Sequence, residues 1–255
     1  MIDLHTHILP GVDDGAASLD GSLEIARAAV EDGIEVVAAT PHVRDDYPTR
    51  VDTMEQRLEE VRNAIDQAGI PLDVRPGAEI AVDRIRTLSA DELRRFGLGG
   101  NPAYLLIEFP YYGWPLELAE RLFELREAGV TPVLAHPERN SDVQARPEAL
   151  RDLVDAGALV QLTAASVDGR FGRRVRETSL RLLGLGLGHL LATDAHAPDL
   201  RATGLSAAAA TLEDAALAHW LTVAMPGAIL RGEPLPARAT PPPPRGWLER
   251  LRATF

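Results

Sequence analysis

Met1-Ile-Asp-Leu-His-Thr-His-Ile-Leu-Pro-Gly-Val-Asp-Asp-Gly15 is the stretch from which the rest of the chain can be read. Ile2, Leu4 and Thr6 alternate with Asp3, His5 and His7, a period of two that predicts a strand with both histidines on one face. Side chains two apart on a strand start roughly 7 Å from each other, within reach of one metal ion. Leu9-Pro10-Gly11 then predicts a turn that delivers two carboxylates, Asp13 and Asp14. A single His-x-His or Asp-Asp-Gly is compatible with ordinary packing. The positions of the remaining histidines decide between packing and chemistry.

Downstream, short apolar runs alternate with amphipathic ones. Strands are predicted over 34–40, 72–80, 103–109, 130–135, 159–163 and 189–193. Helices are predicted over 18–32, 49–68, 89–96, 115–128, 147–156, 173–185, 206–221 and 226–231. Ser18 is placed as an N-cap, Ser89 and Glu92 form a capping-box pattern, and Gly33, Gly69, Gly129 and Gly157 mark helix ends. With the opening strand this is a repeated βα alternation, which implies a parallel sheet with helical crossovers. In 255 residues such a sheet is expected to close as an α/β barrel. Residues 1–232 are expected to form one domain and residues 233–255 a Pro-rich C-terminal tail, in which the run 238–245 is too stiff and too poor in donors for a helix and 247–255 is either a short docking helix or a loose end.

Composition narrows the function classes. The chain is 45% hydrophobic and 25% charged, ordinary for a globular protein, with a net charge of −12 and no lysine. That balance argues against nucleic-acid binding, which needs a basic face. Bound divalent ions can nevertheless invert the local potential and admit a phosphate. With no cysteine, disulfides and thiolate catalysis are excluded. The opening residues lack a basic n-region and a long apolar h-region, and no apolar run approaches the roughly 20 residues of a span. A cytoplasmic location without membrane insertion is therefore expected.

The polar residues fall where a barrel enzyme needs them, at the C-terminal ends of strands. His5 and His7 close the first predicted strand, His42 the second, Glu79 the third, Glu108 the fourth, His136 the fifth, and Asp194 with His196 the seventh. The sixth, ending at Thr163, offers no clear ligand. With Asp14 added, this is too many donors for one ion, and two or three divalent ions are expected, with Glu79 and Asp194 central. Imidazole and carboxylate without thiolate suit manganese, iron or zinc. Arg139 and Arg201 follow directly on these motifs, and a guanidinium can grip phosphate oxygens bidentately. His189 and His219 are read as structural or solvent-facing.

The motifs Asp3-x-His5-x-His7, Thr40-Pro41-His42, Glu79, His136-Pro137 and Asp194-x-His196 resemble the PHP (polymerase and histidinol phosphatase) superfamily. His7 to Gly15, Ala39-Thr-Pro-His42, His136-Pro-Glu-Arg-Asn140, Thr193-Asp-Ala-His196 and Phe171-Gly-Arg-Arg174 look more specifically like the bacterial metal-dependent protein-tyrosine phosphatases of capsule and exopolysaccharide gene clusters. The likeness runs from Met1 to about Gly204. It implies a distorted (β/α)7 barrel and three metals, manganese being the expected ion. His5, His7, Glu79 and Asp194 would hold the first, Glu79, Glu108 and His136 the second, and Asp14, His42 and His196 the third. Asp14 and Glu108 stand where other PHP branches carry histidines. Arg139 and Arg201 match the phosphate-binding arginines of that family, and the implied partner is a bacterial tyrosine autokinase controlling polysaccharide synthesis or export.

The expected reaction is hydrolysis of phosphotyrosine in a protein, with metal-activated water attacking phosphorus in line, Arg139 steadying the equatorial oxygens, and Asp194 or His196 moving the proton. Tyr47, Phe109, Tyr111, Tyr112 and Trp114 lie on predicted rim loops, where they either stack on a phenyl ring or serve ordinary loop packing. One rival is a small-molecule phosphomonoesterase of the histidinol-phosphatase type, which uses the same metals. Another is a non-catalytic metal-stabilised module, disfavoured because no ligand is missing.

Overall fold

The computed structural model describes residues 1–197 and 204–238. Arg201 and most of the proline run lie outside the described residues. The strands are β1 (Ile2–Thr6), β2 (Val36–Ala39), β3 (His42–Val43), β4 (Asp73–Pro76), β5 (Glu79–Ala81), β6 (Tyr104–Glu108), β7 (Thr131–Ala135), β8 (Leu159–Thr163) and β9 (Leu190–Ala192). Every pairing between them is parallel. The helices that return the chain are α1 (Leu19–Glu31), α2 (Val51–Gln67), α3 (Ala90–Arg95), α4 (Leu118–Glu127), α5 (Ser141–Ala145), α6 (Arg151–Asp155), α7 (Ala164–Val167), α8 (Arg173–Gly184), α9 (Leu205–Thr211), α10 (Ala215–His219) and α11 (Met225–Arg231). The α/β alternation expected from the sequence is present.

One predicted strand stops short and another is broken in two. Residues 34–40 yield only β2, and the chain resumes as β3 after Thr40-Pro41. Proline has no N–H to give the ladder, so the pairing stops there. Residues 72–80 split likewise into β4 and β5 around Gly77-Ala78. The two jogs lie against each other, since a Cβ on Gly77 would stand 3.1 Å from the Thr40 methyl. Their effect is a change of partner. β2 pairs with β1 and β4 in a three-stranded sheet, while β3 pairs with β5 at the edge of a six-stranded sheet, in the order β3-β5-β6-β7-β8-β9. At the far side β9 meets β1 through a single parallel bridge, Thr6 to Ala195, flanked by His7 N to Ala195 O at 2.8 Å and Asp194 N to His5 O at 2.9 Å. The ring is thus a distorted barrel, bent at Pro41 and Gly77 and narrowly joined at β1/β9.

Side-chain pattern explains the helices. Ser18 accepts from Gly21 N, and Ser89 with Glu92 completes the predicted capping box. In α2 the residues Met54, Leu58, Val61 and Ile65 recur at the helical period and are buried in the core. The Ala-rich run predicted as one helix over 206–221 is two. Glu213 takes a left-handed conformation (φ 52°), and Asp214 caps α10 by accepting from Ala216 N and Leu217 N. The short α5 and α7 were not expected as separate helices. Beyond α11, residues 233–238 lie against the barrel: the Trp220 indole donates to Pro236 O at 2.9 Å, and Arg238 donates to Leu183 O at 2.6 Å. No helix among the described residues is long and apolar enough to cross a membrane.

Candidate metal centre

Eight of the nine predicted ligands meet in a buried cluster: His5, His7, Glu108, His136, Asp194 and His196 stand at or just past the carboxyl ends of β1, β6, β7 and β9, whereas His42 and Glu79, expected to close strands, open β3 and β5 because the jogs after β2 and β4 intervene; Asp14 joins from the turn after β1. His5, His7, Glu79, His136 and Asp194 are all nearly or wholly buried. Among the described residues four groups of donor atoms are close enough to share an ion: His5-His7-Asp194, His5-Glu79-His136, His42-Glu79-Glu108 and His7-Asp14-His42-His196. Glu79 stands in two of them. Its Oε1 lies 2.8 Å from His136 Nε2, and its Oε2 lies 2.9 Å from His42 Nδ1 and 3.3 Å from His5 Nε2. The strand break at Pro41 makes this possible, because it places His42 in register with Glu79 across β3 and β5. Asp14 bridges outward, at 3.4 Å from His42 and 3.3 Å from His196. Glu108 falls with His42 and Glu79, whereas His136 falls with His5 and Glu79.

The donor set fits cations. His5 Nδ1 donates to Gln161 Oε1 at 3.0 Å, and His7 Nδ1 donates to Asp13 Oδ2 at 2.8 Å. In the neutral rings both Nε2 atoms then carry lone pairs, and they face each other at 3.2 Å. Asp194 Oδ1 lies 3.4 Å from one and 3.3 Å from the other, and Glu79 Oε2 is 3.3 and 3.5 Å away. Two carboxylates and two imidazoles thus converge in a buried space. Burial works to lower His5 and His7, yet Glu79 and Asp194, joined by Asp13 at His7, raise both above the usual imidazole range, so the cluster attracts positive charge, whether as protons or as metal ions. Glu79 Oε2, His42 Nδ1 and His136 Nδ1 are buried without a hydrogen-bond partner in acceptable geometry.

The electrostatics agree. Burial works to push Glu79 up, but His5, His136 and His42 outweigh it and hold the carboxylate well below the usual range. For Asp194, burial is likewise outweighed by Arg139 and the histidines. Burial works to lower His42, yet Asp14 and Glu79 raise it to about 9. Acidic groups that draw protons onto these imidazoles draw divalent cations by the same attraction. Glu108 moves the other way, raised by burial and by repulsion from Glu79. His136 is pushed down to about 4 by burial and by Arg139, so it stays neutral, as a metal-ligating imidazole must.

Two ligand candidates sit in strained backbone. His136 (φ 37°) and Asp194 (φ 54°) are left-handed non-glycine residues at strand ends, a conformation that costs of order 1–3 kcal/mol and concentrates at functional sites. Arg139 is buried beside them. Its NH2 donates to Asp194 Oδ2 and to Thr163 Oγ1, both at 2.6 Å, and its NH1 reaches the Tyr111 hydroxyl at 3.4 Å. The Phe171 ring covers the guanidinium at 4.7 Å.

Sequence reasoning passed over several supporting residues. Gln161 orients His5 from β8, the strand expected to offer no clear ligand; a lone amide in Leu-Val-Gln-Leu-Thr is the available signal. Asp13 and Arg44 were given no role, yet Arg44 pairs with Glu108 at 2.8 Å. Of the aromatic candidates, Phe109 is buried against Trp114 (ring centroids 5.4 Å apart) and cannot meet a ligand. Tyr111 and Tyr112 remain exposed. With Leu116, which is 99% exposed, and with Arg44, Val82 and Asp83, they line a cleft of about 880 Å³ that opens beside Glu108. His189 accepts from Val160 N at 3.1 Å and His219 is exposed, the structural and solvent-facing placements expected of them.

Fold and site together place the chain among α/β-barrel proteins with a candidate metal centre at the carboxyl ends of the strands. More particularly, it belongs to the CpsB/CapC family of capsular polysaccharide synthesis, whose sequence profile matches residues 1–225. It is 39% identical to tyrosine-protein phosphatase YwqE of Bacillus subtilis over 198 residues, 77% of each chain. It is 28% identical to tyrosine-protein phosphatase CpsB of Streptococcus pneumoniae, over 79% of this chain and 85% of that one. A solved structure from the study of these two proteins, described as unique metal-dependent tyrosine phosphatases, superposes with a TM-score of 0.84 at 33% identity, covering 95% of this chain and 99% of the other. A 5-methylcytosine deaminase of Klebsiella pneumoniae shares the fold alone, at a TM-score of 0.53 and 14% identity.

Proposed function

We propose that this chain is a metal-dependent protein-tyrosine phosphatase acting on a bacterial tyrosine kinase that regulates capsular or extracellular polysaccharide. The observation that carries the reading is the convergence of His5, His7, Glu79 and Asp194 in a buried barrel mouth. Family membership and the tyrosine phosphatases among its relatives support the substrate.

His5, His7, Glu79 and Asp194 hold one ion in this reading. The resemblance would give a second ion to Glu79, Glu108 and His136 and a third to Asp14, His42 and His196, although the donor atoms here set Glu108 nearer His42 than His136. Imidazole and carboxylate without thiolate suit manganese, iron or zinc, and manganese is the ion the resemblance implies. When bound, such ions supply a water-derived nucleophile at neutral pH and neutralise phosphoryl charge. The residues supply the rest. Arg139, pinned between Thr163 and Asp194, is preorganised to meet equatorial oxygens without reorganising at the moment of reaction. Arg201 is assigned a second phosphate contact on the resemblance. A phenolate leaves readily, so proton return makes a small demand; of Asp194 and His196, His196 is the one bordering solvent. The open cleft beside Glu108, with Tyr111, Tyr112 and Leu116 on its wall, suits a polypeptide better than a small alcohol phosphate.

The test is hydrolysis of a phosphotyrosine peptide and of histidinol phosphate by chelated protein, with and without added Mn²⁺. Metal-restored activity favouring the peptide is expected. Activity on histidinol phosphate alone would keep the metal centre and overturn the substrate.

A further inference from the structure

We infer that Asp13 is a positioning residue that couples two parts of the metal centre, by holding His7 in one tautomer and His42 in place through the same oxygen. The inference rests on the metal-centre reading above. Asp13 Oδ2 accepts from His7 Nδ1 at 2.8 Å and from the His42 backbone N–H at 3.0 Å, and Oδ1 accepts from Gly15 N at 3.0 Å. Its side chain is fully buried, unlike that of its neighbour Asp14, which is 42% exposed. One carboxylate thus ties the end of β1, the start of β3 and the turn that carries Asp14.

The chemistry needs this arrangement. His7 Nε2 faces Asp194 and Glu79, and it presents a lone pair there only while the ring proton stays on Nδ1. Asp13 has no proton to give at that contact, so it enforces that tautomer. Outer carboxylates that fix a ligating imidazole in this way are worth roughly 10- to 100-fold in metal affinity. Asp13→Ala removes the shared acceptor from both donors: the His7 ring proton is no longer held on Nδ1 and can pass to Nε2, where Glu79 and Asp194 accept it, and the His42 N–H loses the bond that fixes it beside Glu79.

The experiment is Mn²⁺ titration by calorimetry of chelated full-length wild type and Asp13→Ala, with histidine side-chain ¹⁵N NMR of both chelated proteins at a pH high enough to deprotonate His7. We expect Mn²⁺ affinity to fall about 10- to 100-fold in the variant. We also expect the His7 ¹⁵N pattern to switch from Nδ1–H to Nε2–H. Loss of a buried acceptor lowers the melting temperature in any case, so the tautomer is the deciding readout: a residue with a merely structural role would leave it alone. An unchanged His7 tautomer in Asp13→Ala overturns the inference. If the variant does not fold, the wild-type spectrum still decides, since an Nε2–H tautomer at His7 overturns it too. Failure of the wild type itself to bind Mn²⁺ would instead sink the metal-centre reading.

Discussion

Asp194 divides its two oxygens between opposite demands: Oδ2 receives the Arg139 guanidinium at 2.6 Å, while Oδ1 faces His5 and His7. Arg139 therefore does not wait in isolation for phosphate; it is aimed by a residue of the metal cluster, and Thr163 holds the same nitrogen from the other side. Removing Arg139 costs a transition-state contact and leaves Asp194 partly unpaired. Arg139→Ala is expected to lower kcat on a phosphotyrosine peptide by about 10²–10³-fold, the scale for loss of one preorganised donor. Arg139→Lys should recover little, because a point charge cannot serve Asp194, Thr163 and substrate together. Steady-state kinetics of the two variants test this, and a fully active lysine variant would contradict it.

Chelation should destabilise the fold. Ions bound to the native state alone stabilise it by mass action, about 2.7 kcal/mol at a hundred times Kd. Melting curves with and without EDTA, and again after Mn²⁺ is restored, should show a reversible fall. An unchanged melting temperature in protein shown to be metal-free would argue against the centre.

The cleft wall should matter for polypeptides and not for small esters. Leu116 is 99% exposed and Tyr112 84% exposed, so Leu116→Ser and Tyr112→Ser leave the core untouched. Both should raise KM for a phosphotyrosine peptide several-fold while sparing p-nitrophenyl phosphate. Parallel losses on both substrates would show that the wall supports the site rather than the substrate.

Gly15 is required by proximity. A Cβ there would stand 2.1 Å from His7 O and 2.4 Å from His7 Cβ, so the Asp13-Asp14 turn must move to admit it. Gly15→Ala should cost about 1–3 kcal/mol, typical of overpacking, and weaken Mn²⁺ binding as well. Urea denaturation and calorimetry measure the two effects, and a variant unaffected in both would refute the close approach.

Acid sensitivity should include a contribution from His189. Burial, assisted by Arg238, holds it near 4, below an unfolded value of about 6.5. Between those values only the unfolded chain takes up the proton, so stability from this residue is complete above about pH 6.5 and is lost progressively as pH falls toward 4. His189→Asn, which keeps an acceptor for Val160 N, should flatten melting temperature against pH in that window relative to wild type. Equal slopes would exclude the effect.

The sequence by itself determined which residues could meet. Period-two alternation in Ile2 to His7, apolar runs ending in His42, Glu79, Glu108, His136 and Asp194, and Ser and Gly helix boundaries all follow from local hydrophobic patterning and backbone preference, which act over a few residues. They were enough to place the ligand candidates on one rim. Only the tertiary structure decided which of them meet. The jogs at Pro41 and Gly77 hand the chain from one sheet to the other and set His42 beside Glu79, where continuous strands had been expected. Gln161 reaches His5 across 156 residues of chain, and Arg139 reaches Asp194 across 55. The β1/β9 junction turns Asp194 inward in a left-handed conformation. Such contacts depend on ring closure and on burial that outweighs the desolvation of charge. Local pattern carries no record of either.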